Sequence, residues 1–431
     1  MISFFGKLWR NNRGNTLAIA AACLPLFVGA AGLASDTIQW TLWKRQLQRA
    51  ADSAAIAGVY DRENAAGATT TTSATVTHDL TLNLHTFYSM KTGFPQVSYP
   101  ADSGVKTDQV SVSVAIQQPL SFSSFFLSTA PTIIAASTAA SIPAGGDACV
   151  EALDTSAKNA IYFSGNAAVY MPDCDVFSNS ANSNAAAAKG SSAVTANTIG
   201  GVGGIASSSN FTVTAYRPYS PKLPDPFANI TPSSSDMNCT SSALDEKTKV
   251  TDYPSGTNCF SSLSVGSNKS LNLNTLFPSG GTIYINGGDA FIQGSLTCTG
   301  CTIVLTNSSS TGTTVGSFKA NASANINLTA PTSGTYKGLA IYQDRRATDC
   351  NNCNLINGNS ASVITGALYF PKQELQYNGT GTTTATCTMF VANRITFTGN
   401  SSTSNKFKKL ADCSAEGLPS NATTRMVRLV G

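Results

Sequence analysis

The stretch Thr16–Ser35, TLAIAAACLPLFVGAAGLAS, is followed by Trp43–Gly58, WKRQLQRAADSAAIAG, and this pair decides how the chain is organised. The first stretch is apolar and uncharged. As a helix rising about 1.5 Å per residue, it matches a hydrocarbon core of about 30 Å. Three basic residues and no acidic one precede it, which predicts a cytoplasmic segment at residues 1–15 and export of the chain after Asp36.

We predict a transmembrane helix over residues 16–35, with Thr16 and Ser35 at its ends and Pro25 inside it. Membrane helices tolerate proline better than soluble helices do. The alternative is a secretory signal peptide that is cut after Ala34. The apolar run is longer than the roughly 7–15 residues of a signal-peptide core, and the helical pattern continues past that cut. Both observations favour a retained anchor.

The helical pattern continues as a stem over residues 36–60. Leu47, Ala50, Ala54 and Ala57 are spaced so that they share one helical face. Small residues on a helix face allow another element to approach closely. The stem therefore packs either on its own domain or against partner helices in a membrane complex.

Three motifs carry a family resemblance: Arg13–Ala20 (RGNTLAIA), Gly32–Asp36 (GLASD) and Leu47–Gly58 (LQRAADSAAIAG). Together they resemble the N-terminal module of TadG-like proteins of the bacterial tight-adherence (Tad/Flp) pilus system. The resemblance covers about the first 60 residues and is a combined anchor-and-stem pattern. Ile19 stands where prepilin processing after Gly14 would require glutamate, so processing as a pilin is not expected.

The resemblance implies a single-pass inner-membrane protein with a cytoplasmic N-terminus and a periplasmic or extracellular body. Its implied role is to assemble or anchor an adhesive pilus. The implied partners are the inner membrane and other pilus-assembly proteins, with a surface or a glycan as a further partner.

Composition limits what the exported part can be. Of 431 residues only 12% are charged, and the net charge of +4 is spread thinly, so the sequence lacks the basic patch of a nucleic-acid-binding protein. Because 42% of residues are hydrophobic, the Ser-, Asn- and Gly-rich chain is expected to fold, unlike a disordered segment.

The exported chain is predicted to be mainly β. Residues 61–145 are expected to form a small α+β module with a short helix around Leu80 and a strand at Val110–Ile116. Residues 146–431 contain loose repeats of a short strand, an Asn/Gly turn and a second strand, which favour an irregular parallel β-helix. An antiparallel sandwich is the alternative. The Ser-, Asn- and Ala-rich composition of residues 176–260 predicts a loop-rich excursion.

Ten of the eleven cysteines follow Asp36, and an even number fits disulfides in an oxidising compartment. Short loops predict pairing of near neighbours. The pairs are Cys149 with Cys174, Cys239 with Cys259, Cys298 with Cys301, Cys350 with Cys353, and Cys387 with Cys413. The two C-x-x-C motifs leave a four-cysteine zinc site and a redox site as alternatives.

Carboxylates are too sparse for the acid–base pair that glycan cleavage needs. Asp344 precedes Arg345 and Arg346, a pattern that indicates a turn held by ion pairs, and Asp349 follows. We therefore expect no catalytic residue, cofactor or metal, and a non-catalytic role in pilus assembly or surface adhesion. The alternative is a membrane-anchored β-helix enzyme that acts on cell-wall or extracellular polysaccharide.

Overall fold

The computed structural model describes residues 15–85, 87–357, 359, 362–378, 386–399, 405–419 and 423–431. These residues form two compact units. The first contains the described residues up to Ile142 together with Val427–Gly431, and the second is Pro143–Met426. The predicted cytoplasmic segment lies outside the described residues except for Asn15. The domain bounds given above stay a prediction, but the last five residues belong to the first unit and not to the β-rich body.

The N-terminal helix, α1, runs from Asn15 to Asn64 without a break. The predicted membrane helix and the predicted stem are therefore one element, and Pro25 lies inside it. Alanine, the best helix former, recurs throughout this stretch and supports its continuity. A second helix, α2, Thr72–Asn83, packs against α1.

A small antiparallel sheet completes the first unit. Its strands are β1, Gln96–Ser98, β2, Thr107–Gln117, and β3, Thr132–Ala152. The alternate valines of β2 are fully buried, as the period-two pattern predicts. The chain passes into the second unit within β3. It returns at its end, where the Val430 amide donates to the Thr138 carbonyl at 2.8 Å and the Thr138 amide donates to Gly431 at 2.8 Å.

The second unit is built from short strands that follow the end of β3. They are β4 Ile161–Phe163, β5 Ala168–Ser178, β6 Ala186–Ala188, β7 Ala193–Gly201, β8 Phe211–Arg217, β9 Cys259–Phe260, β10 Leu263–Val265, β11 Ser270–Asn272, β12 Gly281–Asn286, β13 Ala290–Ile292, β14 Ser295–Thr299, β15 Cys301–Thr306, β16 Phe318–Ala320, β17 Asn325–Thr329, β18 Leu339–Gln343, β19 Cys350–Ile356, β20 Val363–Tyr377, β21 Thr388–Phe397, β22 Asn405–Lys406 and β23 Thr423–Leu429.

Strands β4 to β22 and the end of β3 pair in parallel and form three ladders, which are the faces of a parallel β-helix. Strand β23 spans the boundary between the two units, because the second unit ends at Met426. The first ladder, in spatial order, is β9, β12, β15, β18, β20, β21, β3, β5, β7 and β8. The second is β10, β13, β16, β19, β20, β21, β4 and β6. The third contains β11, β14, β17 and β20, and further along β22, β5, β7 and β8. The prediction of a mainly β chain with a parallel, disulfide-containing body is confirmed, and the antiparallel sandwich is wrong for these strands.

The order of strands in the first ladder is a permutation of their order in the chain. The last rung, β21, lies directly beside the first, β3, while β8 and β9 lie at opposite ends. Residues 218–258, here termed the return segment, connect those ends. The ten strands of the first ladder are separated by nine spacings of about 4.8 Å, so β8 and β9 lie about 43 Å apart.

Hydrogen bonds follow the return segment along the stack. The Ser220 amide donates to the Gly201 carbonyl at 2.9 Å, near one end. Asp225 accepts from the hydroxyl of Tyr369 on β20 at 2.7 Å. The Thr240 amide donates to the Cys259 carbonyl at 2.8 Å, at the other end. The segment therefore runs in the direction opposite to the growth of the rungs.

The predicted loop-rich excursion at 176–260 is wrong for the residues up to Arg217. That part contains β6, β7 and β8, and its inward positions include the buried Ala186, Ala188, Val194 and Ala196. Small side chains such as alanine can be buried between closely packed strands. In the sequence alone, an alanine- and serine-rich composition predicts a loop.

Five disulfides lie in the second unit. They join Cys149 to Cys174, Cys239 to Cys259, Cys298 to Cys301, Cys350 to Cys353 and Cys387 to Cys413. Each C-x-x-C motif is bonded within itself, so its sulfur atoms are engaged in a disulfide and not presented as thiolates. Cys23 is free and half-buried on α1.

Candidate functional site

Helix α1 exposes a continuous apolar surface along its N-terminal half. The exposed large side chains are Ile19, Leu24, Leu26, Phe27, Val28, Leu33, Ile38, Trp40 and Leu42. Thr16, Pro25 and Ser35 all lie within this helix. In the part of the chain that the structure describes, α1 is the single helix long and apolar enough to cross a membrane.

The stem half of α1 is buried in its own unit. Leu47, Ala50 and Ala54 have no exposed surface, whereas Ala57 is only half-buried because it lies at the edge of the buried face. The buried face packs with α2 and with the valines of β2. This packing supports the interpretation in which the stem packs on its own domain.

A polar groove opens on the second ladder of the body, where β21 lies beside β4. It has a volume of about 570 Å³ and is lined by Ala157, Lys158, Asn159, Tyr162, Asp349, Asn351, Asn352, Glu374, Arg394 and Thr396. The strand register sets these positions. Glu374 on β20 pairs with Arg394 on β21, and Thr396 on β21 pairs with Tyr162 on β4. The groove therefore requires β21 and β4 to meet.

Arg394 is the electrostatic centre of this groove. It donates to Asp154 at 2.8 Å and to the side-chain oxygen of Asn351 at 2.9 Å, and it forms a second ion pair with Asp349. Burial alone lowers the pKa of Arg394, but the two carboxylates outweigh it and raise this pKa. Arg394 therefore stays charged.

Asp154 is the half-buried partner in this network. Burial alone raises its pKa, but hydrogen bonds from the amides of Ser156 and Ala157, at 2.9 and 2.7 Å, and from Arg394 lower it below the usual aspartate value. Asp154 remains ionised and holds the turn that starts the groove wall.

Glu374 is the second acidic residue that lines the groove. Its carboxylate accepts from the amide of Asn352 at 3.0 Å and from the hydroxyl of Thr396 at 2.5 Å. Asn352 has a positive φ of 58°, inside the loop closed by the Cys350–Cys353 disulfide. These contacts hold the groove wall in one conformation.

The two aspartates singled out in the sequence have different surroundings. Asp344 is buried and accepts from the Thr306 hydroxyl at 2.7 Å and from Arg346 at 2.7 Å. Burial alone raises its pKa, but these hydrogen bonds lower it. Asp344 therefore holds a turn by ion pairing, as predicted, whereas the Asp349 side chain is 61% exposed and lines the groove.

Sequence reasoning missed the site where the return segment is fastened. Arg345 donates to Asp225 at 2.8 Å and to the carbonyls of Phe227 and Ala228, each at 2.7 Å. Tyr369 stacks on Tyr342 beneath this segment, with ring centroids 5.1 Å apart. The sequence contains one signal of this contact, an aspartate between two prolines directly before Phe227. The surrounding composition is that of an ordinary loop, so the aspartate does not stand out.

A model of the putative Flp pilus-assembly TadE/G-like family matches residues 14–67. No curated protein and no solved structure matched the chain. The matched residues cover α1, with its apolar surface and buried stem, and none of the body. The resemblance read from the three N-terminal motifs is confirmed by this match at residues 14–67, which implies association with the pilus-assembly machinery. Together with the apolar helix α1, the match makes the protein membrane-anchored.

Proposed function

We propose that this protein is a non-catalytic component of Flp pilus assembly or surface adhesion, anchored in the bacterial inner membrane. Its N-terminus lies in the cytoplasm, and its β-helical body works in the periplasm or outside the cell. The match of residues 14–67 to the Flp family is the observation that carries this proposal. The five disulfides of the body support an oxidising compartment.

The polar groove is the proposed contact surface for a pilus component or a surface glycan. Its wall is pre-organised by the Arg394 and Glu374 contacts, which lowers the entropy lost on binding. Tyr162 supplies an aromatic face, and Asn351, Asn352 and Lys158 supply amide and ammonium donors. This mixture of a ring and polar groups fits a hydroxyl-rich or peptide ligand.

The decisive experiment deletes the gene and scores pilus display and surface attachment. We expect both to be lost and to be restored by the wild-type gene. Normal pili and attachment after deletion would contradict the assembly role.

Complementation with variants tests the groove separately. Tyr162→Ala should reduce attachment, whereas the matched control Tyr170→Ala, another tyrosine on the body that is 44% exposed and outside the groove, should restore it fully. Equal restoration by both variants would leave assembly standing and reject the groove as the contact surface.

The polysaccharide-cleaving alternative has one observation in its favour, because Asp349 and Glu374 line the same groove. Both carboxylates are held by hydrogen bonds or ion pairs within the groove, which supports a structural role. We expect the purified protein to release no sugar from cell-wall or extracellular glycans. Release that Glu374→Gln abolishes would establish the enzyme instead.

N-terminal sequencing of the protein extracted from membranes tests the retained anchor. We expect the sequence to begin upstream of Thr16. A mature start at Ser35 would show that the helix is removed and that the protein is secreted.

A further inference from the structure

The loop between β2 and β3, residues 119–131 (PLSFSSFFLSTAP), contains no charged residue. It is here termed the aromatic loop. Phe125, Phe126 and Leu127 are 82%, 75% and 54% exposed. Three adjacent large apolar side chains facing outward are costly in water, and such patches usually mark a contact surface.

The aromatic loop is tied to α1 through Asp36. The carboxylate of Asp36 accepts from the amides of Phe122 and Ser123, at 2.8 and 2.6 Å, and from the Ser123 hydroxyl. One turn further along α1, the side-chain oxygen of Gln39 accepts from the Ser121 amide at 3.2 Å and from its hydroxyl at 3.0 Å. Asp36 is only 4% exposed, so the loop covers the first charge after the apolar run.

Gly32 brings the loop against the helix itself. A Cβ atom at Gly32 would lie 2.2 Å from the ring of Phe122, so the ring occupies the space that any other side chain would fill. Gly32 lies inside the predicted membrane helix, and Asp36 directly follows it. The loop therefore lies at the level where α1 leaves the apolar run.

The surface of α1 near the loop is also apolar. With Asp36 covered, exposed Ile38, Trp40 and Leu42 extend the apolar surface beyond residue 35, up to Lys44, whose ammonium donates to the Ile134 carbonyl on β3. Tryptophan and tyrosine, of which Trp40 is an example here, are enriched at the boundary between lipid and water, and phenylalanine and leucine form the buried face of segments that lie in this boundary. The uncharged loop and this part of the helix thus form one continuous surface.

We propose that the aromatic loop is a second membrane attachment, which inserts Phe125, Phe126 and Leu127 into the lipid interface beside α1 on the exported side. The occupant of this surface is the bilayer itself, because the loop is fixed to a membrane-spanning helix at the depth where that helix enters the interface. The proposal rests on α1 crossing the membrane. Two attachments at different points would orient the first unit relative to the membrane plane, which a single helix cannot do.

Tryptophan fluorescence tests the depth of the loop in the full-length protein. The protein is reconstituted into vesicles of phosphatidylethanolamine and phosphatidylglycerol, with and without lipid brominated near the top of its acyl chain. Phe125→Trp adds a reporter at an exposed position. Tyr99→Trp is the matched control, because Tyr99 lies 5.6 Å from Arg62 of α1, about 39 Å along the helix from Asp36.

Emission of the wild type, which contains Trp9, Trp40 and Trp43, is subtracted. We expect brominated lipid to quench the added emission of Phe125→Trp about threefold more than that of Tyr99→Trp, since quenching requires contact with the acyl chains. We expect aqueous iodide to show the opposite order.

Two results would overturn the proposal. If iodide quenches both added tryptophans equally, the loop faces water. If the Phe125→Trp emission is protected from both quenchers, a protein covers the loop. Quenching of the native tryptophans by brominated lipid reports separately that α1 is inserted, so loss of the anchor is distinguished from failure of the loop proposal.

Asp36→Asn provides a second readout, because it keeps the shape of the side chain and removes its charge. Combined with Phe125→Trp, we expect it to raise iodide access to the loop, since the amide nitrogen that replaces one carboxylate oxygen cannot accept from the Ser123 amide and hydroxyl. Unchanged access in that double variant would contradict the role given to Asp36.

Discussion

The ring of Phe397 on β21 stacks on the ring of Phe163 on β4, with centroids 5.0 Å apart and planes 7° from parallel. These residues come from the last and the first rungs of the body. Phe390 also packs edge-on against Phe397, at 5.3 Å. The stack closes the seam where β21, the last rung in chain order, lies beside β3 and β4, the first.

Replacing Phe397 with alanine should therefore open the seam. The side chain is 1% exposed, and truncation of a buried phenylalanine costs about 3–5 kcal/mol of unfolding free energy. Chemical denaturation of the purified protein, followed by circular dichroism, measures the loss. Phe291→Ala, at a position 40% exposed, should cost much less, and equal losses would contradict a special role for the seam.

Removing disulfides should have unequal effects because the loops they close differ in length. The sequence separation is 26 for Cys387 and Cys413 and 3 for Cys298 and Cys301. In the chain-entropy model these loops give about 3.5 and about 2 kcal/mol. Each pair is replaced by two serines, and the unfolding free energies of the variants are compared by denaturation. The Cys387–Cys413 variant should lose more stability than the Cys298–Cys301 variant. A larger loss from the short loop would show that contacts, and not chain entropy, dominate.

Arg345→Met should release the return segment. The guanidinium group contacts Asp225 and three backbone carbonyls of that segment. Its loss removes a donor from each of these acceptors, although Asp225 keeps the Tyr369 hydroxyl, and costs about 2 kcal/mol. Limited proteolysis should then cut within residues 218–258 earlier than in the wild type. Lys247→Met, an exposed change in the same segment, is the control and should leave the cutting rate unchanged.

Asp175 should make stability depend on pH. Burial raises its pKa from 3.8 to about 6, against the hydrogen bond from Asn197 at 2.8 Å and the nearby polar groups of Thr424, Thr198 and Gly146, which lower it. Because the folded state then binds the proton more tightly than the unfolded state, its stability falls as pH rises from about 4 to about 6 and is constant above that. The loss is about 3 kcal/mol.

Asp175→Asn removes this titration. The unfolding free energy of the variant minus that of the wild type should therefore be about 3 kcal/mol larger at pH 7.5 than at pH 4. Denaturation curves at the two values measure it. A difference that does not change with pH would show that the Asp175 pKa is not raised.

The sequence allowed some of the candidate site to be anticipated. The ion-paired turn at Asp344 follows from an aspartate beside two arginines. The groove does not follow, because Tyr162 and Thr396 are far apart in the chain and become neighbours only through strand register. The contact between Arg345 and the return segment does not follow from the sequence either, because most of its partners are backbone carbonyl groups, which every residue possesses.

By itself the sequence determined the features set by local periodicity. An uncharged run of sufficient length predicts the anchor, apolar alternation predicts the strands, and Asn/Gly turns between short strands predict a parallel β-helix. Only the tertiary structure decided which rung stacks on which, because three-residue strands such as β4 and β6 each bury only a few apolar side chains, which could pack on many other rungs. The permuted order, the course of the return segment and the groove at the seam follow from those pairings. Contact between distant residues depends on the whole set of packed rungs and not on any local pattern, so the sequence predicts the rungs while the packed structure decides their order.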